Sequence, residues 1–132
     1  MTSKEIILKF WQLMDSNNFE SVQEVLSDNF VLDWPQSGER VHGLQNFARI
    51  NSEYPSHGPW HFTINRIVAG DSDAVSDVSV TDGVQHARAL SFFTISAGKI
   101  TGIVEFWPEP YKAHSDRSHL VEQLENGFGT NK

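Results

Sequence analysis

Val75-Ser-Asp-Val-Ser-Val-Thr-Asp82-Gly83-Val-Gln-His-Ala-Arg-Ala-Leu-Ser-Phe-Phe-Thr-Ile95 alternates apolar and polar residues on both sides of Asp82-Gly83. Asp-Gly between two such runs is a strong hairpin signal, because a type I′ turn needs φ > 0 at both central residues. With Asp82 and Gly83 as the loop, Thr81 opposes Val84 and Asp77 opposes Arg88. Directly opposed side chains share a sheet face. The following run, Ile100-Thr-Gly-Ile-Val-Glu-Phe-Trp107, comes after a Ser96-Ala-Gly-Lys99 loop. Pairing Ile95 with Ile100 sets Leu90 against Glu105 and Arg88 against Trp107. Asp77, Arg88 and Glu105 are then expected on one face, beside Leu90, Phe92, Ile103 and Trp107. Two acids and a base among large apolar side chains predict a pocket.

Outward from this hairpin, the pattern predicts helices first and strands after. Thr2-x-x-Glu5 has the spacing of a capping box ahead of a helix to about Asp15, with Ile6, Ile7, Phe10, Trp11 and Met14 at helical intervals. Ser16-Asn17-Asn18 breaks it and precedes a short second helix with Phe19, Val22, Val25 and Leu26 inward. Asn29 to Pro35 reads as a short strand with Phe30, Leu32 and Trp34 on one face, and residues 36–43 as a loop or tight crossover. Leu44 to Tyr54 reads as a third helix stopped by Pro55. Strands are expected over 60–69, 74–81, 84–95 and 99–107, the last ended by Pro108-Glu-Pro110. One or two helical turns follow from Ser115 or Asp116 through Leu120, Val121 and Leu124, and residues 127–132 are expected to fray. This order is an α+β pattern: three N-terminal helices on a curved, mostly antiparallel sheet. It forms a single domain over 1–132, with a core of about 6–110 and a tail of 111–132.

Composition bounds the partners. The chain has 132 residues, 39% apolar and 20% charged, enough for one sizeable core. A net charge of −7 with no basic run argues against nucleic acid or an acidic membrane as partner. There is no cysteine, hence no disulfide framework and no thiol chemistry. The six histidines show no metal-binding spacing, and no phosphate loop, dinucleotide fingerprint or nucleophilic triad is present. No metal or cofactor is expected. The N-terminus reads as a helix rather than a signal peptide, so a cytoplasmic location is the default expectation.

Short segments along the chain also carry a resemblance: Phe10-Trp11-x-x-Met14 with Phe19-Glu20, Leu26-Ser-Asp28-Asn-Phe30, Trp34-Pro35, Val41-His-Gly43, and Gly98-Lys99-Ile100 with Glu105-Phe106-Trp107. In this order the chain resembles the nuclear transport factor 2-like superfamily, in particular its SnoaL-like members, over about Ile6 to Pro110. The resemblance implies a cone-shaped α+β barrel, a pocket between sheet and helices, and a homodimer through the sheet. Its members include ketosteroid isomerase, limonene-epoxide hydrolase, polyketide cyclases and many non-enzymes, so fold does not give function. Ketosteroid isomerase has its oxyanion tyrosine where this chain has Phe10 and its base aspartate where this chain has Trp34; its protonated aspartate falls near Leu90. Steroid isomerisation by that machinery is therefore not expected. Limonene-epoxide hydrolase bridges two carboxylates with an arginine, a set of residue types that Asp77, Arg88 and Glu105 share.

Within the expected pocket, Glu105 is the candidate proton-transfer group, because apolar neighbours raise a carboxyl's pKa. Asp77, held ionised beside Arg88, and Arg88 itself are the candidate orienting groups. Phe10, Met14, Leu32, Trp34, Leu90, Phe92, Ile103 and Trp107 are the candidate walls, and Tyr54 to Trp60 a candidate lid. The opposite face, with Val78, Val80, Phe93, Val104 and Phe106, is then the expected dimer surface. The alternative keeps that second face as the core and leaves the three charges solvated, with Asp77–Arg88 a surface pair. Function divides likewise. One possibility is an acid/base isomerase, dehydratase, cyclase or hydrolase acting on a small apolar molecule. The other is a non-catalytic ligand-binding or dimerisation module.

Overall fold

The structure is a computed structural model that describes residues 1–125. The capping box forms as its spacing requires. The Thr2 hydroxyl accepts from the Glu5 N–H at 3.1 Å, and the Glu5 carboxylate accepts from the Thr2 N–H at 2.8 Å. Helix α1 (Ser3–Asp15) starts there and buries Ile6, Ile7, Phe10, Trp11 and Met14. Just past its end Asn17 takes the left-handed conformation at φ 62°. A 3-10 helix (Phe19–Val25) follows, burying Phe19, Val22 and Val25. After two strands, helix α2 (Gly43–Glu53) buries Phe47 and Ala48 and stops ahead of Pro55.

Six strands make one sheet: β1 (Leu26–Trp34), β2 (Glu39–His42), β3 (His61–Ala69), β4 (Asp73–Thr81), β5 (His86–Ser96) and β6 (Lys99–Phe106), in the order β2-β1-β6-β5-β4-β3. All neighbours are antiparallel except β1 and β6. The helices cover one face, and the core lies between. Phe10 meets Trp11 and Phe93 edge-on, at 4.9 and 5.4 Å between ring centroids. Phe30 meets Phe47 in the same way at 5.4 Å. Residues 36–43, expected as a loop or crossover, contain β2, a short edge strand that turns back on β1. The expected turns after Ser115 form a 3-10 helix (Ser115–Leu120) with no buried residue. The expectation of fraying over 127–132 lies outside the described residues.

Two registers differ from the sequence expectation, with different consequences. Between β4 and β5 the connection is four residues, 82–85, rather than two, so Thr81 pairs with His86, Ser79 with Arg88 and Asp77 with Leu90. The cause is Asp82, whose carboxylate accepts from the N–H groups of Val84 and Gln85 at 2.9 and 2.6 Å. Positive φ is then needed only at Gly83 (97°). A slip of two residues preserves parity, so Asp77 and Arg88 stay on one face.

The second difference does not preserve parity. Ile95 pairs with Ile100 as expected, but Thr94 pairs with Gly102, Phe93 with Ile103 and Ser91 with Glu105. Thr101 is an extra residue on β6, a β-bulge, and beyond it every β6 side chain changes face. Glu105 therefore points into the helix-covered face, whereas Asp77 and Arg88 lie on the outer one. Leu90 and Phe92, expected as pocket walls, are outer as well, and Phe92 is 46% exposed. Conversely, Val78, Val80 and Phe93, expected on the dimer surface, are buried core. Val104 and Phe106 remain on the outer face, opposite Phe92 and Leu90.

Candidate functional site

The open end of the cone holds a cavity of about 480 Å³. It is lined by the buried Phe10, Trp11, Met14, Leu32, Phe47, Val80 and Ile103 and the partly buried Trp34, Trp60, Phe62, Gln85 and Trp107, with the exposed Gln36, Glu39, Tyr54, His86 and Glu109 at its rim. Of the residues proposed from sequence as lining, the structure brings Phe10, Met14, Leu32, Trp34, Ile103 and Trp107 together here with Glu105.

Glu105 is 7% exposed. Strand pairing places it opposite Ser91, whose hydroxyl donates to one carboxyl oxygen, Oε2, at 2.7 Å. The Trp34 indole N–H, arriving from β1, donates to the other, Oε1, at 3.0 Å. Desolvation raises the Glu105 pKa above the ordinary carboxylate value, and the two hydrogen bonds only partly oppose it. Both donors sharpen the picture drawn from sequence, which gave Glu105 only apolar neighbours. A carboxyl with two fixed donors and a raised pKa is suited to holding a proton and delivering it to a bound molecule.

Asp77 and Arg88 form a two-pronged ion pair at 2.5 and 2.8 Å on the outer face. Asp77 also lies near the Asn65 amide at 3.4 Å. The Arg88 guanidinium holds the Asp77 carboxyl below its usual range. The pair has the ionised character expected of it, but it has no access to the cavity. The flip at Thr101 separates it from Glu105.

The rim is held by groups that sequence reasoning read only as turn or helix-stop residues. The Asn17 side chain accepts from the Trp60 N–H at 2.8 Å and donates to the Trp60 carbonyl at 2.7 Å. Asp82 accepts from the His57 N–H at 2.8 Å and from the Gln85 side-chain amide at 2.8 Å. Gln85 also donates to the Pro55 carbonyl at 3.2 Å. Desolvation pushes the Asp82 pKa up, but these donors outweigh it and hold the carboxyl far below the usual range. Segment 54–60 is thereby fastened to the end of α1 and to the β4–β5 loop. Asn17 follows the helix stop at Asp15, and Asp82 precedes glycine; turn chemistry was the available signal for both. Among the described residues no group of three or more His, Cys, Asp or Glu side chains is placed to hold a metal. No described helix is long and apolar enough to cross a membrane.

Comparison with known proteins agrees with this architecture. The model of the SnoaL-like domain matches residues 7–103. A protein of Kribbella flavida DSM 17836, provisionally described as a ketosteroid isomerase, superimposes with a TM-score of 0.84 at 28% identity, covering 91% of this chain and 87% of that one. An NTF-2-like protein of unknown function from Burkholderia xenovorans LB400 gives 0.75 at 25% identity, covering 92% and 94%. An LEH-like epoxide hydrolase of M. tuberculosis gives 0.63 at 17% identity, covering 79% and 80%, a likeness of fold alone. A search of curated proteins found no match.

Proposed function

The chain belongs to the SnoaL-like domain family, and from that premise we propose that its cavity is the site of a cofactor-independent acid/base enzyme acting on a small, mostly apolar molecule. One observation carries this reading: the buried Glu105 carboxyl, gripped by Trp34 and Ser91, forms part of the lining of a ligand-sized apolar cavity. A carboxyl is placed where water is scarce and where its pKa moves toward working pH, the arrangement that general acid/base catalysis needs. Glu105 transfers the proton. Trp34 and Ser91 fix its orientation and moderate its pKa. Isomerisation, dehydration, cyclisation and water addition are the reaction types within reach of one such group. The Kribbella flavida neighbour, with its isomerase description, lies in the same chemical range.

The test is turnover of small apolar ketones, alcohols and epoxides, followed by NMR in wild type and Glu105→Gln. Loss of about 100-fold or more in the variant, with binding retained, is the expected outcome for a general acid/base. Equal turnover in both proteins overturns the assignment.

We also propose a homodimer through the outer sheet face. Leu90, Phe92, Val104 and Phe106 lie together there, with Phe92 and Phe106 edge-on at 6.0 Å. The helices cover only the other face, and an apolar sheet surface of this kind is suited to a symmetric partner. Light scattering is expected to give twice the chain mass of 14.9 kDa; a monomer at micromolar concentration contradicts it.

A further inference from the structure

Apolarity alone favours a neutral ligand, since an unpaired charge is costly to bury, but the charges around the proposed site favour one sign over the other. Glu105 lies among the walls, and Glu39 and Glu109 stand at the rim. Glu39 pairs with Trp34 across β1 and β2, and Val41 beside it on the same strand face is buried, so Glu39 is on the cavity side. Among the described lining residues there is no lysine or arginine; His86 and Tyr54, at the rim, are the other titratable residues of the lining. Three of the arginines are held by carboxylates elsewhere. Arg40 binds Asp33 at 2.6 and 2.9 Å on the far face of β1. Arg88 binds Asp77 on the outer sheet face, and Arg49 binds Glu53 along α2.

The walls add a second, independent feature. Trp34, Trp60 and Trp107 are each only partly buried and present indole surface to the cavity, with Tyr54 at its edge, 6.0 Å from Trp60 between ring centroids. All four of the chain's tryptophans thus line one space, Trp11 as a buried member and the other three partly exposed. Aromatic faces carry negative quadrupole charge and attract a desolvated cation, most strongly when several rings surround it. Carboxylates without basic neighbours act in the same direction and repel an anion.

Resting on the cavity being the ligand site, we propose that its ligand carries a positive charge: a small apolar amine or ammonium ion, its cationic head among the tryptophans and its charge balanced by Glu105 and the rim glutamates. The proton relation is consistent with this. Burial favours the neutral form of Glu105, whereas a cation beside it favours the carboxylate. Arrival of the ligand therefore lowers the Glu105 pKa from its raised value and favours a base next to the bound molecule.

The experiment is calorimetric titration of the intact protein with 3-hydroxyphenyltrimethylammonium, its neutral isostere 3-tert-butylphenol, and 3-hydroxybenzoate. The expected order is cation, neutral, anion, with the cation bound at least about tenfold more tightly than its isostere. For the cation alone, the apparent binding heat is expected to change with the ionisation heat of the buffer at a pH near the Glu105 midpoint, where a fall in its pKa releases a proton. Glu105→Gln, which keeps both hydrogen-bond partners, is expected to weaken the cation while leaving the isostere unchanged. Equal affinity for cation and isostere overturns the charge inference while the cavity reading stands. A variant that loses both ligands equally shows damage to the wall rather than loss of charge recognition, and likewise overturns it. Binding of none of the three removes the cavity reading and the inference with it.

Discussion

Replacing Trp34 by phenylalanine separates packing from proton chemistry at the site. The indole N–H lies 3.0 Å from the Glu105 Oε1, and phenylalanine keeps a ring at that place but has no donor. Loss of indole volume costs about 1–2 kcal/mol, below the range for truncating Trp to Ala, and does not depend on pH. The lost hydrogen bond does depend on pH: about 1 kcal/mol to a neutral carboxyl and about 1.5–3 kcal/mol to a carboxylate. Glu105 starts with a raised pKa, so its contribution to stability is fully present below the unfolded value of about 4.3 and is lost as pH rises through its folded pKa. Removing a donor that favours the charged form raises that pKa further. The variant should therefore fall behind wild type by about 1 kcal/mol more on the alkaline side of the Glu105 titration than on the acid side. Urea unfolding of both proteins across this pH range, read by far-UV circular dichroism, measures the difference. A destabilisation of the same size at every pH would refute the coupling between Trp34 and the ionisation of Glu105.

Glu105→Gln should fold normally, because its amide can accept from Trp34 and donate to Ser91. It should equal wild type in acid and exceed it by about 1–2 kcal/mol once Glu105 ionises, since a buried charge has been removed; denaturation at two pH values checks this. Arg88→Ala should cost about 1 kcal/mol as a partly exposed pair, with side-chain exposures of 29% and 25%. That variant's loss should fade in acid as Asp77, whose pKa is lowered by Arg88, becomes protonated; pH-dependent unfolding reads it. Asp82→Asn should loosen the rim, seen as faster amide hydrogen exchange at His57, Val84 and Gln85, the three N–H groups that Asp82 accepts.

Helices α1 and α2 were legible because their signals are local: a capping box, apolar residues at helical spacing, and a proline stop. The β4–β5 hairpin was legible in parity but not in register. Asp82-Gly83 suggested a two-residue turn, while the Asp82 side chain built a four-residue one by capping two N–H groups. Asp77 and Arg88 still meet because long side chains reach diagonally across a sheet. The site itself depended on one residue. Continuing β6 without a bulge put Glu105 with Asp77, and the extra Thr101 moved it to the tryptophans. The available signal was Gly102, since an isolated glycine inside a strand pattern marks a bulge. Periodicity cannot locate such an insertion, because the alternation is correct on either side of it. Strand β2 was missed because four residues, Glu39–His42, at the sheet edge with one buried side chain carry almost no pattern.

The central claim is that Glu105 is a buried carboxyl poised to carry a proton. A ¹³C NMR titration of its side-chain carboxyl, assigned by difference from Glu105→Gln, tests it most directly. A midpoint clearly above the ordinary glutamate value of about 4.3 is predicted, since desolvation outweighs the bonds from Ser91 and Trp34. A midpoint within or below the ordinary carboxylate range would contradict the account.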